Sequence, residues 1–400
     1  MNRFVNTVSK IEMQRRWRAV RAGMREQGLD ALVMQNSSDW IGGYVRWFSN
    51  QPAHNGYPNT IVFALDEGMS LIEQGPFGGQ RAVGSAGAEA EAEADANGVA
   101  RRLTTPSYAS VHYSGHYDAE IAAAELKRLG AQRVGLVAQS AMYHSFGRAL
   151  REFTPGIEWV DASDGVDRIK AIKSEEEQGL IAQVAAMQDE VMARVHGFIR
   201  PGLKDFEIAA FAQYEGQRLG SEQGIFLCSS APPGQAASFR GRSAQGRTVQ
   251  AGDVFSLLIE NNGAGGYYTE LSRIFVLGRA SQELRDAHAA VLQAQRYALT
   301  LLKPGARCAD IFAQHNEWLR AQGLSEERRI SIHGMGYDMV ERPLIRNDET
   351  MRIEPGMAIV VHPGVLNERL FAHNTEIYLI EAEGPGECLH KTPRQIFELT

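Results

Sequence analysis

The sequence predicts an α/β (α+β) protein of two domains, residues 1–168 and 169–400. Three observations carry this. Through the first 165 residues, segments of helical spacing alternate with short apolar runs of strand type, the order of an α/β domain. Near Ile169-Lys170-Ala171-Ile172-Lys173 that pattern stops, and Ser174 opens a new helix with Glu177 three residues on, a capping box. Beyond it, a unit of helix, Pro-Gly break, second helix and Gly-led strand occurs twice, with Pro201-Gly202 and Pro304-Gly305 set 103 residues apart.

Glu12 to Gln27 places Met13, Trp17, Val20 and Met24 on one helical face and stops at Gly28. Ala31-Leu-Val-Met34, Thr60-Ile-Val-Phe-Ala64 and Val134-Gly-Leu-Val137 read as buried strands. Residues 82–98, rich in Ala, Glu and Gly, read as a solvated helix or loop. The helix after Ser174 carries Leu180, Val184, Met187, Val191 and Val195 as its apolar stripe and ends at Arg200-Pro201-Gly202. The duplicated strands begin at Ala251-Gly252-Asp253-Val254 and Pro355-Gly356-Met357-Ala358. Two such halves joined through their sheets would leave a cleft between them.

An apolar fraction of 44% is enough for a sizeable core, and a net charge of −7 gives no basic patch for nucleic acid. Cys228, Cys308 and Cys388 lie far apart, without metal-type spacing, which fits a reducing cytoplasm. The N-terminal stretch has no apolar h-region, and no run of about 18 apolar residues is present to span a membrane. Gly263-Ala-Gly-Gly266 lacks the strand-to-helix context of a phosphate loop and reads as a tight strand connection.

The stretch most suggestive of chemistry is His333-Gly334-Met335-Gly336, followed by Glu341 and Pro343. A histidine at a strand end beside a Gly-x-Gly bend can turn its ring into a cleft. Four other segments stand out: Ile172-Lys-Ser-Glu-Glu, Gly266-Tyr-Tyr-Thr-Glu-Leu-Ser-Arg273, Lys303-Pro-Gly-Ala-Arg-Cys308 and Ile353-Glu-Pro-Gly-Met357. In combination these resemble the creatinase/aminopeptidase P/methionine aminopeptidase superfamily of pita-bread enzymes. The resemblance covers nearly the whole chain and implies a creatinase-type N-terminal domain ahead of a pita-bread domain with an internal pseudo-two-fold repeat.

Metal-dependent members carry two aspartates, a histidine and two glutamates around two divalent ions. Carried over slot by slot, the histidine is His333 and the second aspartate is Glu270. The first aspartate slot, eleven residues earlier, is Ile259, with Glu260 adjacent; the two glutamate slots are His362 and Thr375, with Glu376 beside the latter. This pattern implies no standard dinuclear site and resembles creatinase and ectoine hydrolase, which act without metal. No metal is therefore expected; the alternative is a single zinc, manganese or iron ion held by Glu260, Glu270, His333 and His362. The creatinase histidine, eleven residues before Gly252, is Gly241 here, and the substrate histidine of the peptidases, seven after His333, is Val340.

The resemblance gives His333 or His362 the acid/base role, with Glu270 and Glu376 clamping substrate charge and Glu260 orienting a histidine or water. Arg240 and Arg242 are candidate forks for a substrate carboxylate, Tyr268 a pocket wall, and His373 a loop histidine within reach of substrate. In creatinase-like homodimers the partner's N-terminal domain covers the cleft; Arg46 and Trp47, with His54 just after, are the matching exposed lid. The expected function is hydrolysis of a C–N bond in a small nitrogenous compound without metal. The alternatives are an Xaa-Pro metallopeptidase with an altered site, a pseudoenzyme that binds a peptide or metabolite, and a lyase acting on a small zwitterion.

Overall fold

A computed structural model describes residues 8–36, 43–52, 56–81 and 98–399. His54 and the Ala/Glu/Gly-rich stretch 82–97 lie outside the described residues. The chain divides into two compact units, Thr7–Lys170 and Ala171–Thr400.

In the first unit, α1 (Lys10–Gln27) starts where the Ser9 hydroxyl accepts from the Glu12 N–H, and it buries Met13, Trp17, Val20 and Met24 as the spacing predicts. The strands β1 (Ala31–Asn36), β2 (Asn59–Ala64), β3 (Met69–Gln74), β4 (Gly79–Arg81), β5 (Val99–Thr105), β6 (Arg133–Leu136) and β7 (Glu158–Asp161) form one mixed sheet, ordered β4-β5-β3-β2-β1-β6-β7. Between β1 and β2 lies α2 (Tyr44–Ser49). Helices α3 (Gly115–Arg128) and α4 (His144–Phe153) cover the sheet, seating Ala122, Leu126, Phe146 and Leu150 on Val33, Val62 and Val134. Each large apolar side chain buried this way contributes about 1.5–3 kcal/mol.

This unit corrects the expectation of an exposed lid at Trp47. That side chain is only 1% exposed and packs edge-on against Phe48. Arg16 bonds its carbonyl at 3.0 Å, and Trp17 bonds the next carbonyl at 2.7 Å. An indole fixed in its own core offers no ring to a ligand. Arg46 is half-buried in the same short helix.

After α5 (Ser163–Ala171), the second unit begins with α6 (Glu175–Phe198), whose Ser174–Glu177 capping box is formed in both directions. The predicted repeat is then visible as helix pairs: α6 with α7 (Asp205–Leu219), and α8 (Gln282–Leu301) with α9 (Cys308–Ala321). The first pair covers a sheet ordered β18-β10-β9-β8, made of β8 (Gly224–Ala231), β9 (Val254–Asn262), β10 (Tyr268–Val276) and β18 (Ile396–Glu398). The second covers β12-β11-β13-β16-β17, made of β11 (Ile332–Gly334), β12 (Glu341–Leu344), β13 (Ala358–Val361), β16 (Glu376–Glu381) and β17 (Gly384–Cys388). A two-stranded ribbon, β14 (Gly364–Leu366) with β15 (Phe371–His373), sits between β13 and β16 in sequence. An antiparallel bridge between Ser272 and Thr375 joins the two sheets. That joint brings the strand carrying Glu270 to the sheet carrying His333.

Candidate functional site

The first two site residues are placed by strand register. β9 and β10 pair antiparallel with Glu260 directly opposite Glu270 and Ile259 opposite Leu271. Side chains alternate between faces of a strand, so one step along the ladder changes the face. Ile259 and Leu271 belong to the core under α6 and α7, with Val191 and Phe255. Glu260 and Glu270 therefore share the opposite face. They are 7% and 6% exposed. Burial holds both carboxyls above the ordinary range, Glu270 at about 8; the Glu270 charge adds to the rise at Glu260, and Arg329 opposes it at both.

His333 is the middle residue of β11, next to backbone packed too tightly for a side chain at Gly334 or Gly336. A Cβ on Gly334 would lie 2.5 Å from the Arg342 carbonyl oxygen, and one on Gly336 would lie 2.4 Å from the Glu341 carboxylate. Glu341 is braced in turn by Lys173 at 3.0 Å and accepts the N–H of Tyr337 at 2.8 Å. The His333 Nδ1 lies 2.9 Å from the Gly334 carbonyl oxygen, which can only accept, so Nδ1 carries the proton and Nε2 presents its lone pair. Nε2 is 3.8 Å from Glu270 Oε2. His362 follows β13, its ring centroid 5.1 Å from that of His333. Its N–H donates to the Ser331 carbonyl at 2.8 Å. Burial lowers the imidazole pKa to about 4 at His333 and, with the His333 charge adding to it, to about 3 at His362. Both rings are neutral at pH 7.

One ligand atom each from Glu270, His333 and His362 lies within 4.8 Å of the others, close enough for all three to hold one metal ion. The profile of metallopeptidase family M24 matches residues 179–383, the part of the chain that contains all of these residues. The chain belongs to metallopeptidase family M24. An Xaa-Pro dipeptidase from Pyrococcus furiosus is 25% identical over 261 residues, covering 64% of this chain and 74% of that protein. A creatinase from Bacillus sp. (strain B-0618) is 30% identical over 235 residues, covering 55% of this chain and 56% of that protein. The structure of an X-Pro aminopeptidase from Thermotoga maritima MSB8 superimposes with a TM-score of 0.76 at 20% identity, over 96% of this chain and 99% of that one. The second unit is thus the M24 pita-bread domain, preceded by an N-terminal α/β domain.

Within the M24 frame the donor set fits one ion and not two. Ile259, at the first aspartate slot, is apolar and faces the helices. Thr375, at the last glutamate slot, accepts a hydrogen bond from the Ser272 hydroxyl at 2.8 Å. Neither supplies the bridging carboxylate that a pair of ions requires. The remaining group of one carboxylate and two neutral imidazoles suits zinc, manganese or iron. The expectation that no metal binds is accordingly corrected in favour of the single-ion alternative, with Glu260 outside the group of Glu270, His333 and His362.

Other expected residues are placed elsewhere. Glu376 does not face the site. Its carboxylate is 1% exposed and pairs with Arg273 at 2.8 Å and Arg394 at 2.7 Å, while the Tyr378 hydroxyl donates to it at 2.9 Å. A carboxylate already paired with two guanidiniums has no capacity left for a substrate cation. His373 is buried rather than on a surface loop, with Nδ1 2.7 Å from the Ser272 hydroxyl and Phe239 and Phe371 against its ring. Arg242 is exposed and donates to Gln213 on α7, the helix layer, at 2.7 Å. Arg240 is exposed at the outer edge of β8, its carbonyl accepting from Cys228. Tyr268 is buried, its N–H donating to the Gly336 carbonyl at 2.7 Å, which ties β10 to the His333 turn.

Sequence reasoning missed Arg329, whose charge acts on Glu260, Glu270, His333 and His362 alike. It stands in the run Glu326-Glu327-Arg328-Arg329, which has the composition of a solvated loop. The signal that could have found it is its distance of four residues from His333.

Proposed function

We propose that the chain hydrolyses an amide-type C–N bond in a small peptide or related nitrogenous compound, with one divalent ion held by Glu270, His333 and His362. The observation that carries this is the convergence of those three ligand atoms within 4.8 Å, beside a second, buried acid, Glu260. Such an ion polarises a carbonyl and makes bound water more acidic.

The chain's own residues supply the rest. The Nδ1 bond to the Gly334 carbonyl fixes the His333 ring so that Nε2 faces Glu270. Glu260 is not in the three-atom group, yet it faces Glu270 from the next strand. This position suits it to take a proton from water and return it to the leaving nitrogen. The apolar layer behind Ile259 and Leu271 keeps this face of the sheet rigid.

A second reading, a metal-independent hydrolase of creatinase kind, draws support from the changed slots at Ile259, His362 and Thr375. One experiment separates them. Protein purified without added metal is assayed on Xaa-Pro dipeptides and on small amides and amidines such as creatine, with and without a strong chelator. The proposal expects hydrolysis that the chelator abolishes and one divalent metal restores. Undiminished turnover by metal-free protein would sink it in favour of the second reading.

A further inference from the structure

We propose that the cavity between α8, α9 and β14 binds a small molecule with a short aliphatic body and one primary ammonium group. This goes beyond the hydrolysis proposed above and does not depend on it.

The end of α9 builds the cavity. Gly323 takes the left-handed conformation, with φ 70°, and the Leu324 N–H bonds back to the Leu319 carbonyl at 2.9 Å. This helix stop folds Leu324 back toward Leu319. Asn316 then ties down the loop that follows. Its side-chain carbonyl accepts the Glu327 N–H at 2.7 Å, and its amide donates to the Glu327 carbonyl at 3.2 Å. The space enclosed is about 190 Å³, with Val291 of α8, Leu319, Leu324 and Val365 of β14 in its wall. That is the size class of a cavity of ~150 Å³ that admits benzene.

The polar part of the lining selects a cation. His315 lines the cavity and is 3% exposed, with Nδ1 buried; among the described residues neither ring nitrogen has a hydrogen-bond partner. Buried polar groups are ordinarily paired, because an unpaired one forfeits its bonds to water. Burial lowers the imidazole pKa, against an opposing effect of Glu327, so the ring is neutral at pH 7 and has a lone pair to offer. Glu326 and Glu327 also line the cavity, and no lysine or arginine does. Arg320 meets Glu326 at 3.4 Å with both side chains largely open to water, an arrangement that neutralises little of the acid's attraction. An alkylammonium complements this set. Its carbons cover the valine and leucine side chains, and its N–H groups donate to His315 and the carboxylates. An anion would be repelled, and a plain hydrocarbon would leave His315 unpaired.

The cavity is separate from the three-ligand group, since Glu270, His333 and His362 do not line it. It shares backbone with that group. Ser331, whose carbonyl accepts the His362 N–H at 2.8 Å, and Pro363, the residue after His362, are both in its wall.

The test uses the full chain as purified, with isoamylamine, isoamyl alcohol and isovalerate as cationic, neutral and anionic probes of similar shape. Calorimetry should give a Kd for the amine of about 1 mM or lower, with the alcohol and the acid at least about tenfold weaker. In methyl NMR spectra of the wild type, the amine should shift Val291, Leu319, Leu324 and Val365. Leu319→Phe, which fills the space, should weaken amine binding at least about tenfold, and Glu326→Gln, at an exposed position, about threefold. No binding of the amine, equal binding of the alcohol, an affinity unchanged in Leu319→Phe, or methyl shifts confined to residues outside the cavity overturns the proposal. Should Leu319→Phe fail to fold, the wild-type shifts and Glu326→Gln decide it.

Discussion

Glu260 and Glu270 stand directly opposite each other across β9 and β10, both buried, on the face of the sheet that also receives His333. Two carboxyls in register at a dry site repel when both are ionised. A cation shared with His333 and His362 removes that conflict, and the two acids then differ in role. Glu270→Gln should weaken metal affinity by more than about 100-fold, beyond what outer-shell changes cost. Glu260→Gln should keep the metal and lower kcat by about 10²–10⁴-fold, the range for losing an acid/base group. Metal content and kcat measured on the same preparations check both.

The Arg273–Glu376 pair is predicted to be structural. Arg273 is 1% exposed and also bonds Asn374, Thr392 and Pro393. Removing one partner leaves a buried charge uncompensated, so Arg273→Met should cost about 3–5 kcal/mol in denaturant unfolding. Glu376→Gln should destabilise as well, yet leave metal content per folded chain unchanged. Loss of metal in Glu376→Gln would return that residue to the site.

Gly334→Ala tests the turn that aims His333. The added methyl would meet the Arg342 carbonyl oxygen at 2.5 Å and the Glu341 carbonyl oxygen at 3.0 Å, both backbone atoms that cannot swing aside. β11 and β12 must separate, with a cost of about 1–3 kcal/mol and a displaced imidazole. The expected result is reduced thermal stability together with reduced metal occupancy.

Much of this was legible in the sequence, because it is written in local chemistry. The α1 stripe, the Ser174 capping box and the two Pro-Gly helix stops each follow from residues within a turn or two of one another. His333 was legible from its strand end beside a Gly-x-Gly bend, and His362 only through the family resemblance. The failures are tertiary. Counting eleven residues back from Glu270 selects Ile259, but the register of β9 on β10 turns that residue into the core and presents Glu260. Glu376 resembled a substrate clamp because Arg273, its partner, lies on another strand 103 residues away. Trp47 looked like a lid because nothing local shows that Arg16 and Trp17 bond the backbone of its helix.

The N-terminal unit carries a pH-dependent term. Asp118 is 1% exposed, and burial raises its pKa to about 7 against a weaker opposing bond from Ser107. The folded value lies above the unfolded one, so its favourable contribution is complete below about pH 4 and is lost as pH rises toward 7, at about 1.4 kcal/mol per unit. Thermal melts should show Asp118→Asn gaining stability relative to the wild type between pH 4 and 7, with the gain level above that. A difference independent of pH would show that Asp118 ionises freely in the folded chain.

The central claim is a three-ligand site for one ion. Its most direct test is elemental analysis of the protein purified without added metal, beside His333→Ala and His362→Ala. The account predicts about one zinc, manganese or iron per wild-type chain and loss of that ion in both variants. Two ions per chain, none, or an occupancy indifferent to both substitutions would contradict it.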